Sequence, residues 1–149
     1  MSKLSKALGK KYEENRLSVL TRQFELGDHT FKVRVPSVLE IEAIYNYANN
    51  ANNERVELEY KNIIAGFEKD EVNGDVVIEG RSMRETAKNK EVLKYRIIEY
   101  FKFIIPETVS LDDLTYEDIE AEFPLAVQLT IVEKINEVIS PDYRDARLK

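Results

Sequence analysis

Apolar and polar residues alternate along positions 20–35, which predicts a β-hairpin with one buried and one charged face. A four-residue loop would place Leu26 opposite Phe31 on the apolar face. The same register would place Glu25 opposite Lys32, a favourable charge pair across the strands. The sequence therefore predicts a two-stranded sheet near the start of the chain.

Apolar positions with helical spacing follow the hairpin and predict most of the remaining structure. Ser37 with Glu40, and Ser82 with Glu85, have the spacing of a capping box at a helix start. Pro124 occupies the first-turn position of the last helix, where proline is tolerated. The predicted helices span 38–48, about 54–67, 83–105 and 125–139, with short helices within 107–122.

A second hairpin signal lies between the helices. Asn73-Gly74 separates Glu71-Val72 from the run 75–78, which predicts a type I′ turn and a small β-ribbon. The predicted fold is thus α+β and predominantly helical, with an N-terminal hairpin, this ribbon and four or five helices.

The predicted domain organisation is one α+β domain between two charged ends. The domain spans 20–140. Residues 1–19 form a basic arm that either adopts a short helix or stays mobile. Residues 141–149 form a charged C-terminal tail.

Composition excludes several classes of function. The chain of 149 residues carries 22 basic and 28 acidic residues, a formal charge of −6 that opposes binding to nucleic acid. It has no cysteine and one histidine, His29, so we expect neither a metal site nor a cofactor, and no residue set supports an enzyme. The chain shows neither an apolar run long enough to span a membrane nor a secretory signal, so we expect it in the cytoplasm.

Charge is unevenly distributed along the chain. Lysines dominate the first 11 residues, whereas residues 107–122 hold seven acids and no basic residue. Opposite local fields steer association, so the two segments are candidates for self-association, although ordinary surface variation is the alternative. The candidate residues are Lys3, Lys6, Lys10, Lys11, Asp112, Asp113, Glu117 and Asp118.

The helix predicted at 125–139 is a candidate partner-binding surface. Its apolar residues span roughly half of the circumference, wider than the usual stripe. Gln128 lies within this apolar face, so its amide either meets a polar partner in the core or lies on a surface that another protein covers. The candidate residues are Tyr116, Phe123, Leu125, Gln128, Leu129, Val132 and Ile135, and the alternative is that they are simply core.

Two segments resemble tail assembly chaperones of long-tailed bacteriophages, over about a third of the chain. One is 24–40, which runs from the hairpin into the capped helix start Pro36-Ser37-Val38-Leu39-Glu40. The other is Glu120-Ala121-Glu122-Phe123-Pro124, which leads into the apolar helix.

The resemblance implies a non-enzymatic protein that works in the cytoplasm of the bacterial host and is absent from the finished virion. Such chaperones bind the tape measure protein before the tail tube polymerises around it, which makes the tail tube protein a second expected partner. Two alternatives stay open. One is a phage structural subunit, at the head–tail joint or the tail terminus; the other is a small protein-binding regulator.

Overall fold

The computed structural model describes residues 2–140, so the predicted tail 141–149 lies outside the described residues. Across 2–140 the chain forms seven α-helices, one 3₁₀ turn and two small antiparallel sheets, and its fold is α+β. The elements are α1 (Lys3–Leu8), α2 (Lys10–Leu20), β1 (Thr21–Leu26), β2 (His29–Arg34), α3 (Val38–Asn46), the 3₁₀ turn (Tyr47–Asn49), α4 (Asn53–Ile64), β3 (Val77–Ile78), β4 (Arg81–Ser82), α5 (Met83–Phe101), α6 (Tyr116–Glu122) and α7 (Leu125–Ile139).

The predicted hairpin is present, but its register is shifted by two residues. The loop contains only Gly27 and Asp28, at φ angles of 58° and 60°, so Leu26 lies opposite His29. Two central residues with positive φ are typical of a type I′ turn, whose twist matches that of the strands. The four-residue loop predicted from the sequence was therefore wrong.

The shift changes the partners across the strands but not the buried face. Phe24 faces Phe31, and the two rings stack with centroids 5.0 Å apart. Glu25 faces Thr30 and Lys32 faces Gln23, so the predicted Glu25–Lys32 pairing is absent from this register. Because side chains alternate between faces, a shift of two residues leaves the same set on the core side.

The helix predicted to reach 105 ends at Phe101, because the next residues pair with the hairpin instead. The Arg34 N–H donates to the Phe103 carbonyl at 2.8 Å, and the Ile105 N–H donates to the Lys32 carbonyl at 2.8 Å. Ile104 forms a β-bridge with Val33. Residues 103–105 thus extend the sheet at the edge of β2.

The observed starts of α3 and α5 agree with the predicted capping residues, whereas the observed end of α4 differs from the predicted one. Ser37 and Glu40 form the full capping box of α3. The Ser82 hydroxyl accepts from the Glu85 N–H at the start of α5. The predicted end of α4 was three residues too late, and Phe67 lies outside the helix, half exposed.

The small ribbon contains two tight turns rather than one. Asn73 and Gly74 form the predicted turn at positive φ, but it closes only one bridge, between Val72 and Asp75. The paired strands β3 and β4 surround a second turn at Glu79-Gly80, which was not predicted from the sequence.

The N-terminal arm is helical and accounts for the helices beyond the predicted four or five. The Ser2 hydroxyl accepts from the Ser5 N–H and caps α1. Helix α1 packs against α2, and no side chain within Lys10–Leu20 is buried.

Helix α5 connects two clusters of buried side chains within residues 2–140. Its second half packs against the hairpin, α3 and α7, whereas its first half packs against α4 and the ribbon. The larger cluster contains Phe24, Val33, Ile44, Ile97, Tyr100, Phe101, Phe103, Ile119, Ile131 and Ile135, and the smaller contains Tyr60, Val76, Met83 and Ala87.

Candidate partner-binding surfaces

Helix α7 divides the predicted partner-binding residues between core and surface. Gln128 and Ile135 are fully buried within the chain, and Val132 is half-buried against the larger cluster. Leu125 and Leu129 remain 47% and 42% exposed. A partner that binds α7 in this conformation therefore meets the two leucines rather than the whole apolar face.

Gln128 has polar partners inside the chain. Its amide nitrogen donates to the Phe123 carbonyl at 2.8 Å, and its amide oxygen accepts from the Tyr116 hydroxyl at 3.0 Å. These bonds join α7 to both ends of α6, since Tyr116 begins that helix and Phe123 follows it. Of the two roles open to Gln128, the structure supports the core polar contact.

The two predicted aromatic residues are half-buried and pack against the larger cluster. The Lys94 ammonium lies 5.1 Å from the centre of the Tyr116 ring. The Phe123 ring lies 6.1 Å from that of Phe101, centroid to centroid. Both aromatics thus hold α6 against α5, and little of either is left for a partner.

The predicted self-association residues are all exposed. Lys3 and Lys6 lie on α1, and Lys10 and Lys11 begin α2. Asp112 and Asp113 precede α6, and the two other acids, Glu117 and Asp118, lie in its first turn. Within residues 2–140 none of these lysines forms an ion pair with these acids.

A third surface, not predicted from the sequence, surrounds Pro36. One cavity of about 530 Å³ lies between α2 and the end of the hairpin. A second cavity, of about 300 Å³, lies between α3 and the end of α7, and Pro36 and Ser37 line both. We call the combined surface the Pro36 groove; its apolar lining consists of Leu17, Leu20, Val35, Pro36, Val38, Ile41, Tyr45, Ile105 and Ile139.

The apolar lining of the Pro36 groove is open to solvent at several positions. Leu17 is 77% exposed and Val38 is 73% exposed. Tyr45 and Ile105 are each more than a third exposed. Large apolar side chains grouped on a surface are typical of a site that another molecule covers.

A fixed ion pair forms one rim of the Pro36 groove. The Arg34 guanidinium donates two hydrogen bonds to the Glu40 carboxylate, at 3.0 and 2.8 Å. These bonds, together with the Ser37 N–H, lower the pKa of Glu40 despite its partial burial. The capping box and the ion pair therefore hold the start of α3 against the end of β2.

One sequence signal could have indicated exposed apolar residues at the start of α3, beside the Pro36 groove. Val38 and Leu39 are consecutive apolar residues in the first turn of α3, and side chains on consecutive helical positions point in different directions. Both are in fact exposed, whereas Ile44 on the same helix is buried.

A polar network lies apart from the groove and joins α4 to α5. Glu59 is buried and pairs with Lys94, and Lys90 lies 3.4 Å away from it. Burial raises the pKa of Glu59, but the hydrogen bond from Lys94 and the two positive charges together hold it below its usual value. The network contributes to stability rather than offering an open site.

A Glu59→Gln variant is expected to lose about 1.5–3 kcal/mol of unfolding free energy at pH 7, since it removes a hydrogen-bonded charge. The folded-state pKa is depressed, so this contribution is present above the unfolded pKa of about 4.3 and disappears as the pH falls through the folded value. Urea unfolding at pH 7 and at pH 3 measures it. A difference from the unmodified protein that is equal at both pH values would contradict the assignment.

Within residues 2–140 no group of three or more potential metal ligands is present, and no helix is both long and apolar enough to cross a membrane. The exposed His29 ring packs edge-on against Phe31, with centroids 4.7 Å apart. No protein-family model, curated protein or solved structure matches this chain.

Proposed function

We propose that this chain is a non-enzymatic tail assembly chaperone that binds the tape measure protein in the cytoplasm of the bacterial host and aids assembly of the tail tube around it. The observation that carries the proposal is the position of the segment 24–40. This segment resembles the start of such chaperones, and its end forms the wall shared by both cavities of the Pro36 groove.

The physical basis of the proposal is the binding of a helix in a groove. A tape measure protein is a long helical rod that offers an apolar stripe along its length. Val38 and Leu17 would contact such a stripe, while Arg34 and Glu40 at the rim would set its register. Many copies bound along one rod gain from multivalency, so each site needs only modest affinity.

Co-purification tests this proposal. A tagged chain would be produced in cells that express the tail genes of the source phage, and its partners would be identified by mass spectrometry. We expect a long helical tape measure protein to be recovered, together with some tail tube protein. We also expect this chain to be absent from purified virions.

Variants of the groove sharpen the test. Val38→Asp with Leu17→Ser is expected to reduce recovery of the tape measure protein about tenfold, the equivalent of about 1.4 kcal/mol. Aspartate is compatible with the first turn of α3, so the fold should persist. Leu58→Asp is the control, since Leu58 is an aliphatic residue on α4 that is 61% exposed and does not line the groove.

Three results would contradict the proposal. Equal recovery by the groove and control variants would exclude the Pro36 groove. This chain inside finished particles would favour a structural subunit of the head–tail joint or tail terminus. Recovery of a single host protein instead would favour a small regulator.

A further inference from the structure

We propose that this chain assembles head to tail, with the N-terminal arm of one copy docked on an acidic face of the next. The N-terminal arm is residues 2–20, which contain α1 and α2. The acidic face is the segment 107–122 together with the exposed stripe of α7, which consists of Leu125, Leu129, Glu133 and Glu137. This inference does not rest on the proposed function, because its partner is a second copy of the chain, although Leu17 and Leu20 of the arm also line the Pro36 groove.

The N-terminal arm has an apolar surface that its own chain leaves open. Leu4 and Leu8 are one helical turn apart on α1, and they are 67% and 53% exposed. The packing of α1 on α2 thus leaves the leucines facing solvent. The arm also carries five basic and two acidic residues, so it is an amphipathic, positively charged element.

The acidic face has the complementary composition. Leu125, Leu129, Glu133 and Glu137 follow one another at four-residue intervals, so they form one exposed stripe along α7. All seven acids of the segment 107–122 are exposed. A surface of leucines beside carboxylates matches an arm of leucines beside lysines.

The two surfaces do not satisfy each other within one copy. Across residues 2–140 no ion pair joins Lys3, Lys6, Lys10 or Lys11 to an acid of 107–122. Contact between two different surfaces is heterologous, so each copy presents both a free arm and a free face. Such contacts continue into an open array unless they close into a ring.

Sedimentation velocity of the purified chain tests the inference. At about 10 mM ionic strength, where the Debye length is about 30 Å, we expect species larger than a monomer. At about 1 M, where it is about 3 Å, we expect dissociation. A chain that stays monomeric at low ionic strength and high concentration would overturn the proposal.

Charge reversal gives the decisive comparison. The arm-reversed variant carries Glu at Lys3, Lys6, Lys10 and Lys11. The face-reversed variant carries Lys at Asp112, Asp113, Glu117, Glu120 and Glu122, which makes the net charge of the face positive. It leaves Asp118 intact because that carboxylate accepts from the Thr115 N–H in the cap of α6.

Each reversed variant alone is expected to be monomeric, because its arm and face then carry the same sign. An equimolar mixture is expected to associate again, since each reversed surface finds an opposite one on the other variant. A mixture that stays monomeric, with both variants folded by circular dichroism, would overturn the inference.

A leucine variant separates the apolar from the charged contribution. Leu4→Ser with Leu8→Ser is expected to weaken association about tenfold at low salt while leaving the charges in place. Leu58→Ser on α4 is the matched control and should associate as the unmodified chain does. Equal association by both variants would exclude Leu4 and Leu8 from the interface. These experiments contain no tape measure protein. A negative result would therefore contradict self-association but not the proposal that the Pro36 groove binds the tape measure protein.

Discussion

Truncation of Ile135 to alanine is expected to lower the free energy of unfolding by about 2–5 kcal/mol, because it opens a cavity in the larger cluster. Ile135 is fully buried on α7, which packs against α5 and the hairpin. Urea unfolding, followed by circular dichroism, measures the difference. The helical signal of the folded variant should stay the same, since alanine favours the helix.

Leu129→Ala is the matched control for this prediction. Leu129 lies on the same helix but is 42% exposed, so its truncation should change the stability by only about 0.5 kcal/mol. A similar loss for both variants would contradict the orientation of α7. The two variants also separate the two roles that the sequence left open for this helix, core element and partner-binding surface. If Leu129 contacts a partner, Leu129→Ala should weaken binding of that partner and leave the stability unchanged.

The hairpin shows which level of structure the sequence specifies. The alternation of apolar and polar residues determines the buried face, so Phe24 and Val33 are placed correctly by pattern alone. The register depends on the length of the loop. The predicted four-residue loop and the observed two-residue loop leave the same residues on the buried face, so the pattern does not distinguish them. Gly27-Asp28 is itself a recognised two-residue turn signal, so the observed register was available from the sequence.

The end of α5 depended on a contact that no local pattern contains. Residues 102–105 continue the apolar spacing of the helix, and Pro106 is the first residue that is incompatible with a helical interior. The chain leaves the helix earlier because the edge of β2 offers hydrogen bonds to Phe103 and Ile105. Those bonds join residues about 70 positions apart, which is outside the reach of periodicity.

The candidate surfaces differ in how far the sequence alone predicts them. The charged segments are local in sequence, and their exposure follows from composition. The Pro36 groove requires α2, the hairpin, α3 and the end of α7 to meet, so no single segment specifies it. For α7 the pattern could not decide how much of a wide apolar face neighbouring elements cover, and Ile135 and Leu129 differ for that reason.

Replacement of Gln128 by leucine is expected to lower the free energy of unfolding by about 2–4 kcal/mol, although leucine is apolar and similar in size. The substitution leaves the Tyr116 hydroxyl and the Phe123 carbonyl without their partner, and each such group costs about 1–3 kcal/mol when buried. Urea unfolding again measures the loss, and the loss should be independent of salt because no full charge is involved.

A double-mutant cycle assigns that loss to its two hydrogen bonds. Tyr116→Phe alone removes one donor and should cost about 1 kcal/mol. In the double variant with Gln128→Leu, the phenyl ring meets an apolar neighbour, so the combined loss should be smaller than the sum of the single losses. The remaining deficit belongs to the Phe123 carbonyl at the junction of α6 and α7. Strictly additive losses would show that Tyr116 and Gln128 do not interact in the folded protein.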